Sequence, residues 1–129
     1  MNRHVFLFAI CFSAAVGPSA AQDIDCDTDT SQMALNHCTY ESWQEEDKKL
    51  NGVWARIQRS FTNDDYDRKR KSALLASQRA WLAYRDADCD GAVGQEWEGG
   101  SGRPMAVYTC SAELTRRRTQ LLENRYLNR

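Results

Sequence analysis

The first long pattern of apolar positions runs from residue 33 to residue 61. Its larger side chains recur at alternating steps of three and four residues, which indicates one continuous helix with a single inward stripe. Thr30 or Ser31 is suited to cap its start. The stripe is formed by Met33, Asn36, Tyr40, Trp43, Asp47, Leu50, Trp54, Ile57 and Phe61.

A second helical pattern follows the turn at 61–63 and is predicted to end near Gly91. Asn63 is a candidate cap, and the aspartates after it favour the positive end of a helix. One face carries Leu74, Gln78, Trp81, Leu82, Arg85 and Cys89.

A third pattern begins at Pro104, which suits the first turn of a helix. One side of this helix carries Val107, Cys110, Leu114, Arg118, Leu121 and Arg125. Short connections between long helices imply antiparallel neighbours. The pattern therefore predicts an all-α fold, an antiparallel bundle of three long helices, with a glycine-rich loop at Gly91–Arg103.

Polar residues on these stripes are predicted to satisfy one another inside the bundle. Placing the first turn near residues 62 and 63 sets Asp47 opposite Gln78 and Tyr40 opposite Arg85. A link between Cys89 and Cys110 would bring Arg118 to the same depth. We expect Asp47, Gln78, Arg85 and Arg118 to form a structural polar network, because a buried carboxylate without a partner is costly. A catalytic carboxylate is the alternative interpretation of Asp47.

Residues 1–21 have the pattern of a signal peptide, with a positive start, an apolar run over 5–16 and small residues before Gln22. The run is too short to span a bilayer. We expect cleavage before Gln22, one domain over residues 22–129, and a soluble periplasmic or secreted protein without a membrane anchor.

Four cysteines remain after that cleavage, and an even number in an oxidising compartment indicates two disulfides. Of the three possible pairings, Cys26–Cys38 with Cys89–Cys110 closes the two shortest loops. A zinc site is the rival interpretation, but the chain has no CxxC motif and His37 is the one histidine beyond residue 21. No metal or cofactor is predicted.

Charge and composition exclude several classes of function. The net charge is close to zero, and the basic run 68–71 follows three nearby aspartates, so no nucleic-acid partner is expected. An acidic tract covers residues 23–29. No free cysteine, Ser–His pair or phosphate loop is present after processing, so we do not expect an enzyme.

Five motifs spread along the chain carry a resemblance to a known family. They are LNHC at 35–38, DKKLNGVW at 47–54, LLASQRAWLAYRDADC at 74–89, GGSGRP at 99–104, and LTRRR at 114–118 after Cys110. The chain resembles the LprI-like N-terminal domain family, small exported helical domains associated with lysozyme inhibition. Trp54 stands where the family usually has Tyr. The family's namesake is membrane-anchored with a further domain, whereas this chain is expected to be a soluble single unit.

The resemblance implies a binding protein that blocks a lysozyme. Such an inhibitor needs a rigid projection that enters a cleft with two carboxylates, and a rim complementary to a usually basic enzyme. The Gly91–Arg103 loop is the candidate, with Trp97 filling an apolar subsite and with Ser101 and Arg103 bonding the carboxylates. Alternatively, Ser101 caps the third helix and Trp97 covers the core. A different class of function is an envelope interaction or stress module with no lysozyme target.

Overall fold

The computed structural model describes residues 24–128. The predicted signal peptide and its cleavage site lie outside the described residues. The described chain contains no strand, and its long helices are α1 (Gln32–Ser60), α2 (Asp65–Asp86) and α4 (Arg103–Tyr126). A π-helical turn at Ala87–Val93 and the short α3 (Gly94–Glu96) continue directly from α2. The predicted all-α bundle of three long helices is confirmed.

Polar side chains fix where the first two helices begin. The Ser31 hydroxyl accepts a hydrogen bond from the Ala34 N–H, and the Asp64 carboxylate accepts one from the Asp67 N–H. Each bond satisfies a backbone donor that a helix start leaves without an intrahelical partner. The cap of α1 is thus Ser31, one of the two predicted residues, and the cap of α2 is Asp64 rather than Asn63.

The turn between α1 and α2 is held by a carboxylate. Asp67 accepts hydrogen bonds from the backbone N–H and the hydroxyl of Thr62, at 2.8 and 2.9 Å. These bonds, the backbone one first, hold the pKa of Asp67 below its ordinary value of 3.8. Because the folded-state pKa is the lower one, this contribution to stability is complete above pH 3.8 and is lost as the pH falls through the folded-state pKa.

The helices run up, down and up. Asn36 of α1 contacts Met105 near the start of α4, and Arg56 contacts Glu123 near its end, so α1 and α4 are parallel neighbours. Helix α2 is antiparallel to both, because Gln78 contacts Arg118 while a later residue of α2, Arg85, contacts an earlier residue of α4.

The apolar core lies towards the α1–α2 turn. Its fully or nearly fully buried members are Leu50, Val53, Ile57, Leu74 and Leu122. Partly buried rings and Leu127 pack around this cluster and close it from solvent; they are Trp54, Phe61, Trp81, Tyr126 and Leu127.

The side of α4 that was predicted to face inward does not do so. The helix is rotated about its axis relative to the prediction, and a different side faces the core. Leu121, predicted to be inward, is 42 % exposed, and Arg125 is exposed. Small side chains face inward instead, because α4 packs mainly on α1 and small residues let two helix backbones approach closely. The buried positions of α4 are Ser111, Ala112, Thr115, Thr119 and Leu122.

The predicted Gly91–Arg103 loop is shorter in the structure, where only Trp97–Gly102 lies outside the helices. Residues 91–96 are helical because the π turn and α3 extend α2 past its predicted end. Gly94 is buried, and a side chain there would come within 2.8 Å of the Arg103 guanidinium. Gly99 takes a φ of 75°, which only glycine adopts freely, and so makes the turn.

Candidate binding site at the loop end of the bundle

One end of the bundle gathers most of the features singled out in the sequence. Because α1 and α4 are parallel, their starts lie together with residues 24–31, the π turn and the Trp97–Gly102 loop. We call this region the loop end. Both disulfides are here, and they join Cys26 to Cys38 and Cys89 to Cys110, as predicted.

Hydrogen bonds from Arg103 hold the base of the loop in place. Its guanidinium donates hydrogen bonds to the carbonyl of Gly94 at 3.2 Å and to the carbonyl and carboxylate of Asp90 at 3.2 and 2.9 Å. Glu98 lies 3.7 Å away as a further ion-pair partner. Arg103 therefore lies at the base of the loop and is bound within the chain. It does not extend from the loop towards a target, as the sequence had led us to expect.

Hydrogen bonds of the Asn36 side chain hold the other side of the loop in place. Its amide nitrogen donates to the carbonyl of Ser101 at 2.9 Å, and its amide oxygen accepts from the Met105 N–H at 3.1 Å. The Asn36 side chain thereby satisfies a backbone donor at the start of α4, a position where Gly102 supplies no side-chain cap. Ser101 does not cap α4, so that alternative for its side chain is wrong.

The loop presents an aromatic ring and small residues to solvent. Trp97 is 44 % exposed, and one edge of its indole lies against Gly102, where an added Cβ would be 3.0 Å from the ring. Ser101 is exposed; its backbone carbonyl is bound by Asn36, and its hydroxyl makes no hydrogen bond with the described residues. The loop thus combines a fixed backbone with an accessible indole and hydroxyl.

A cleft of about 380 Å³ opens beside the loop base. Trp43 and Tyr108 stack in parallel within it, with ring centroids 5.6 Å apart. Pairs of opposite charge border these rings, so the cleft combines apolar walls with charged side chains. Its lining residues are Trp43, Arg85, Asp86, Asp90, Arg103, Pro104, Val107, Tyr108 and Ser111.

Arg85 joins the three long helices beneath this cleft. Only 8 % exposed, it donates to Asp86 at 2.9 and 3.0 Å and lies 3.5 Å from both Asp47 and Thr115. It also stacks between Trp43 and Trp81. A buried guanidinium needs such partners, because an unpaired buried charge is strongly destabilising.

The predicted network divides into two contacts. Asp47 pairs with Arg85 rather than with Gln78, while Gln78 accepts a hydrogen bond from Arg118 at 3.0 Å. Burial lowers the pKa of Arg118 below its ordinary range, and its guanidinium stacks on Trp81. All four predicted network residues therefore contact another member, although the expected pairing of Asp47 with Gln78 is replaced by that of Asp47 with Arg85.

Charge is sharply separated along the bundle. The level at which Asp47, Arg85 and Thr115 meet divides the chain. The half on the loop side contains residues 24–46 and 86–114, and it has twelve carboxylates against Arg103 alone. We call it the acidic half.

The basic half contains residues 48–84 and 116–128. It has thirteen lysines and arginines against four carboxylates. The near-zero net charge of the chain hides this separation, which creates opposite electrostatic potentials at the two ends. The acidic half includes the loop, the cleft and the N-terminal aspartates.

Sequence reasoning missed Asn36 and Tyr108 as parts of the site. Asn36 carried a usable signal, since it is one of two polar residues, with Asp47, on a mainly apolar stripe. Tyr108 carried none, because its stacking on Trp43 depends on how closely α1 and α4 approach.

The structure defines a small disulfide-linked helical domain whose exposed loop is fixed on both sides and surrounded by acidic residues. Residues 25–122 match the family described as lysozyme inhibitor LprI. The chain is also 37 % identical over 116 residues to an uncharacterized protein of Rhizobium meliloti (strain 1021), covering 82 % of this chain and 83 % of that protein. No solved structure matches the chain.

The chain belongs to the LprI lysozyme inhibitor family. At the level of the family, its function is lysozyme-inhibitor-like, and the family comprises extracytoplasmic inhibitors rather than enzymes. Within the described part of the chain, every helix is too short or too polar to cross a bilayer.

Proposed function

We propose that this protein is an exported lysozyme inhibitor that holds its target with the loop end of the bundle. The observation that carries the proposal is the Trp97–Gly102 loop, which is exposed at its tip and bound at its base by Arg103 and Asn36. A loop already fixed in its binding conformation loses little conformational entropy when it enters a cleft.

Charge complementarity supports this choice of surface. A lysozyme acts on a negatively charged cell wall and usually has a basic surface. The acidic half would attract such an enzyme over a distance and orient the loop towards it. Inhibition is therefore expected to weaken as the salt concentration rises, because exposed charges are screened.

The side chains of the loop have distinct proposed roles. The Trp97 indole fills an apolar subsite of the enzyme, and the Ser101 hydroxyl bonds the carboxylates that cleave the glycan. Arg103 acts as a positioning residue, because its guanidinium is already bound to Gly94 and Asp90. No catalytic residue is proposed in this chain.

The test is lysis of cell walls by several classes of lysozyme, with and without the oxidised protein. A Trp97→Ala/Ser101→Ala variant is expected to lose inhibition by at least tenfold. A Tyr66→Ala/Ser72→Ala variant is the matched control, since it removes an exposed ring and a hydroxyl from the basic half. Equal loss in both variants, or no inhibition of any class, would overturn the proposal; the second result favours an envelope partner other than lysozyme.

A second variant tests the electrostatic part. Glu98→Gln removes one charge from the loop, and Glu45→Gln removes one from the middle of α1, where the side chain has a matched exposure of 64 % against 66 % for Glu98. We expect Glu98→Gln to weaken inhibition by up to about fivefold, the usual range for one exposed charge, and Glu45→Gln to leave it nearly unchanged. If Glu45→Gln weakens inhibition more than Glu98→Gln does, the contact with the lysozyme lies away from the loop.

A further inference from the structure

The basic half contains a groove that the proposed inhibition does not use. It lies between α1 and α4, has a volume of about 530 Å³ and is lined by three cations and a single carboxylate. Gly52 leaves its wall open, since an added Cβ there would meet nothing within 4 Å. The lining residues are Lys49, Gly52, Val53, Arg56, Arg59, Thr119 and Glu123.

The cations of the groove are only partly neutralised. Lys49 pairs with Glu46 and Arg56 pairs with Glu123, but Arg59 makes no ion pair with any residue in the described range. Ten residues separate Lys49 from Arg59, which places them about 15 Å apart along α1. Charges spaced along a groove suit a linear ligand with repeated negative groups.

We propose that this groove binds an anionic glycan chain of the cell wall. The groove follows two parallel helices and so accommodates a chain, whereas a flat membrane would contact only its rims. Carboxylates on the peptide stems attached to the glycan would form charge-assisted hydrogen bonds with the lysine and arginine side chains. Nucleic acid is a weaker fit, because its backbone carries a charge at every nucleotide, whereas the groove offers three cations of which two are already paired with carboxylates.

The two opposite potentials then have complementary roles. A protein held on the wall by the groove of its basic half would leave its acidic half, with the loop, free to bind a lysozyme. This arrangement rests on the proposed function, because the glycan is the substrate of the proposed target. It would concentrate the inhibitor where a lysozyme acts.

The experiment is co-sedimentation of the oxidised protein with isolated peptidoglycan sacculi at low and high salt. We expect binding at low salt and release at high salt. Lys49→Gln/Arg59→Gln should weaken binding by about 10- to 30-fold, given the usual contribution of each cation at an anionic surface. The matched control, Lys71→Gln/Arg79→Gln, removes one exposed lysine and one exposed arginine from α2 and should stay within twofold of the unaltered protein.

Several results would overturn the inference. These are equal weakening by both double variants, equal binding to chitin, which is a neutral glycan, and salt-sensitive sedimentation without sacculi. The last result would indicate head-to-tail association between the acidic and basic halves of two copies.

Lysozyme activity on a soluble oligosaccharide separates this inference from the proposed function. Lys49→Gln/Arg59→Gln should inhibit that reaction as well as the unaltered protein does, because the loop end is intact. Loss of wall binding with retained inhibition supports the groove. Wall binding without inhibition in any variant would refute only the proposed function.

Discussion

The two halves of the bundle are held together by different interactions. The basic half contains the apolar cluster of Leu50, Val53, Ile57, Leu74 and Leu122. The acidic half contains both disulfides and the polar contacts of Asn36 and Arg103, and Arg85 lies at its border. Apolar burial therefore stabilises one end, whereas covalent links and hydrogen bonds stabilise the other.

This difference has a physical reason. Twelve carboxylates in the acidic half repel one another, which disfavours burying them together in a compact core. A disulfide restricts the unfolded chain without requiring buried apolar area. The proposed function requires the loop end to stay exposed, and the two disulfides stabilise that end without adding buried apolar area.

The largest expected effect is at the apolar cluster. Ile57→Ala should lower the free energy of unfolding by roughly 4 kcal/mol, because Ile57 is fully buried and the substitution opens a cavity in the apolar cluster. Urea unfolding followed by circular dichroism measures the loss. Leu121→Ala is the control, expected to cost less than about 1 kcal/mol because Leu121 is exposed. Similar losses at both positions would contradict the observed rotation of α4.

The second prediction tests whether the two halves are stabilised independently. Cys89→Ala/Cys110→Ala should lower the stability by about 3 kcal/mol in the chain-entropy model. Amide hydrogen exchange should quicken around the loop and the π turn, while Val53 and Ile57 keep most of their protection. A uniform increase in exchange along the chain would show that the two ends are not held independently.

A smaller loss is expected at the loop base. Asn36→Ala removes the hydrogen bonds to Ser101 and Met105 and should cost about 1–2 kcal/mol. It should also weaken lysozyme inhibition, since the loop loses one of the two side chains that hold its conformation. Asn51→Ala is the control, because the Asn51 amide bonds only Asp47 on the exposed surface. If Asn36→Ala leaves inhibition unchanged, the fixed loop is not what binds the lysozyme.

The smallest effect is expected at Asp47. The sequence alone predicts a clear fall in melting temperature for Asp47→Ala, as expected of a buried network. In the structure its side chain is 35 % exposed and lies 3.5 Å from Arg85, which has a closer partner in Asp86. We therefore expect a loss of about 0.5–1 kcal/mol, measured by thermal unfolding. A loss above that of Asn36→Ala would restore Asp47 as the main partner of Arg85.

The sequence determined the features that depend on local pattern. Alternating steps of three and four define α1 and α2, Pro104 lies in the first turn of α4, and the short cysteine spacings correctly indicated both disulfides. Motifs along the chain indicated the family to which it belongs. These features rest on helix geometry, capping and loop closure, which act over a few residues.

Only the tertiary structure decided the rest. The inward face of α4, the partner of Asp47 and the inward position of Arg103 all depend on how helices rotate and slide against one another. The π turn extended α2 beyond its predicted end and shortened the loop. The acidic and basic halves also arise from assembly, since charges that nearly cancel along the sequence are separated once α1 and α4 run parallel and α2 runs back between their ends. Packing over long sequence distances sets these features, and no local pattern records it.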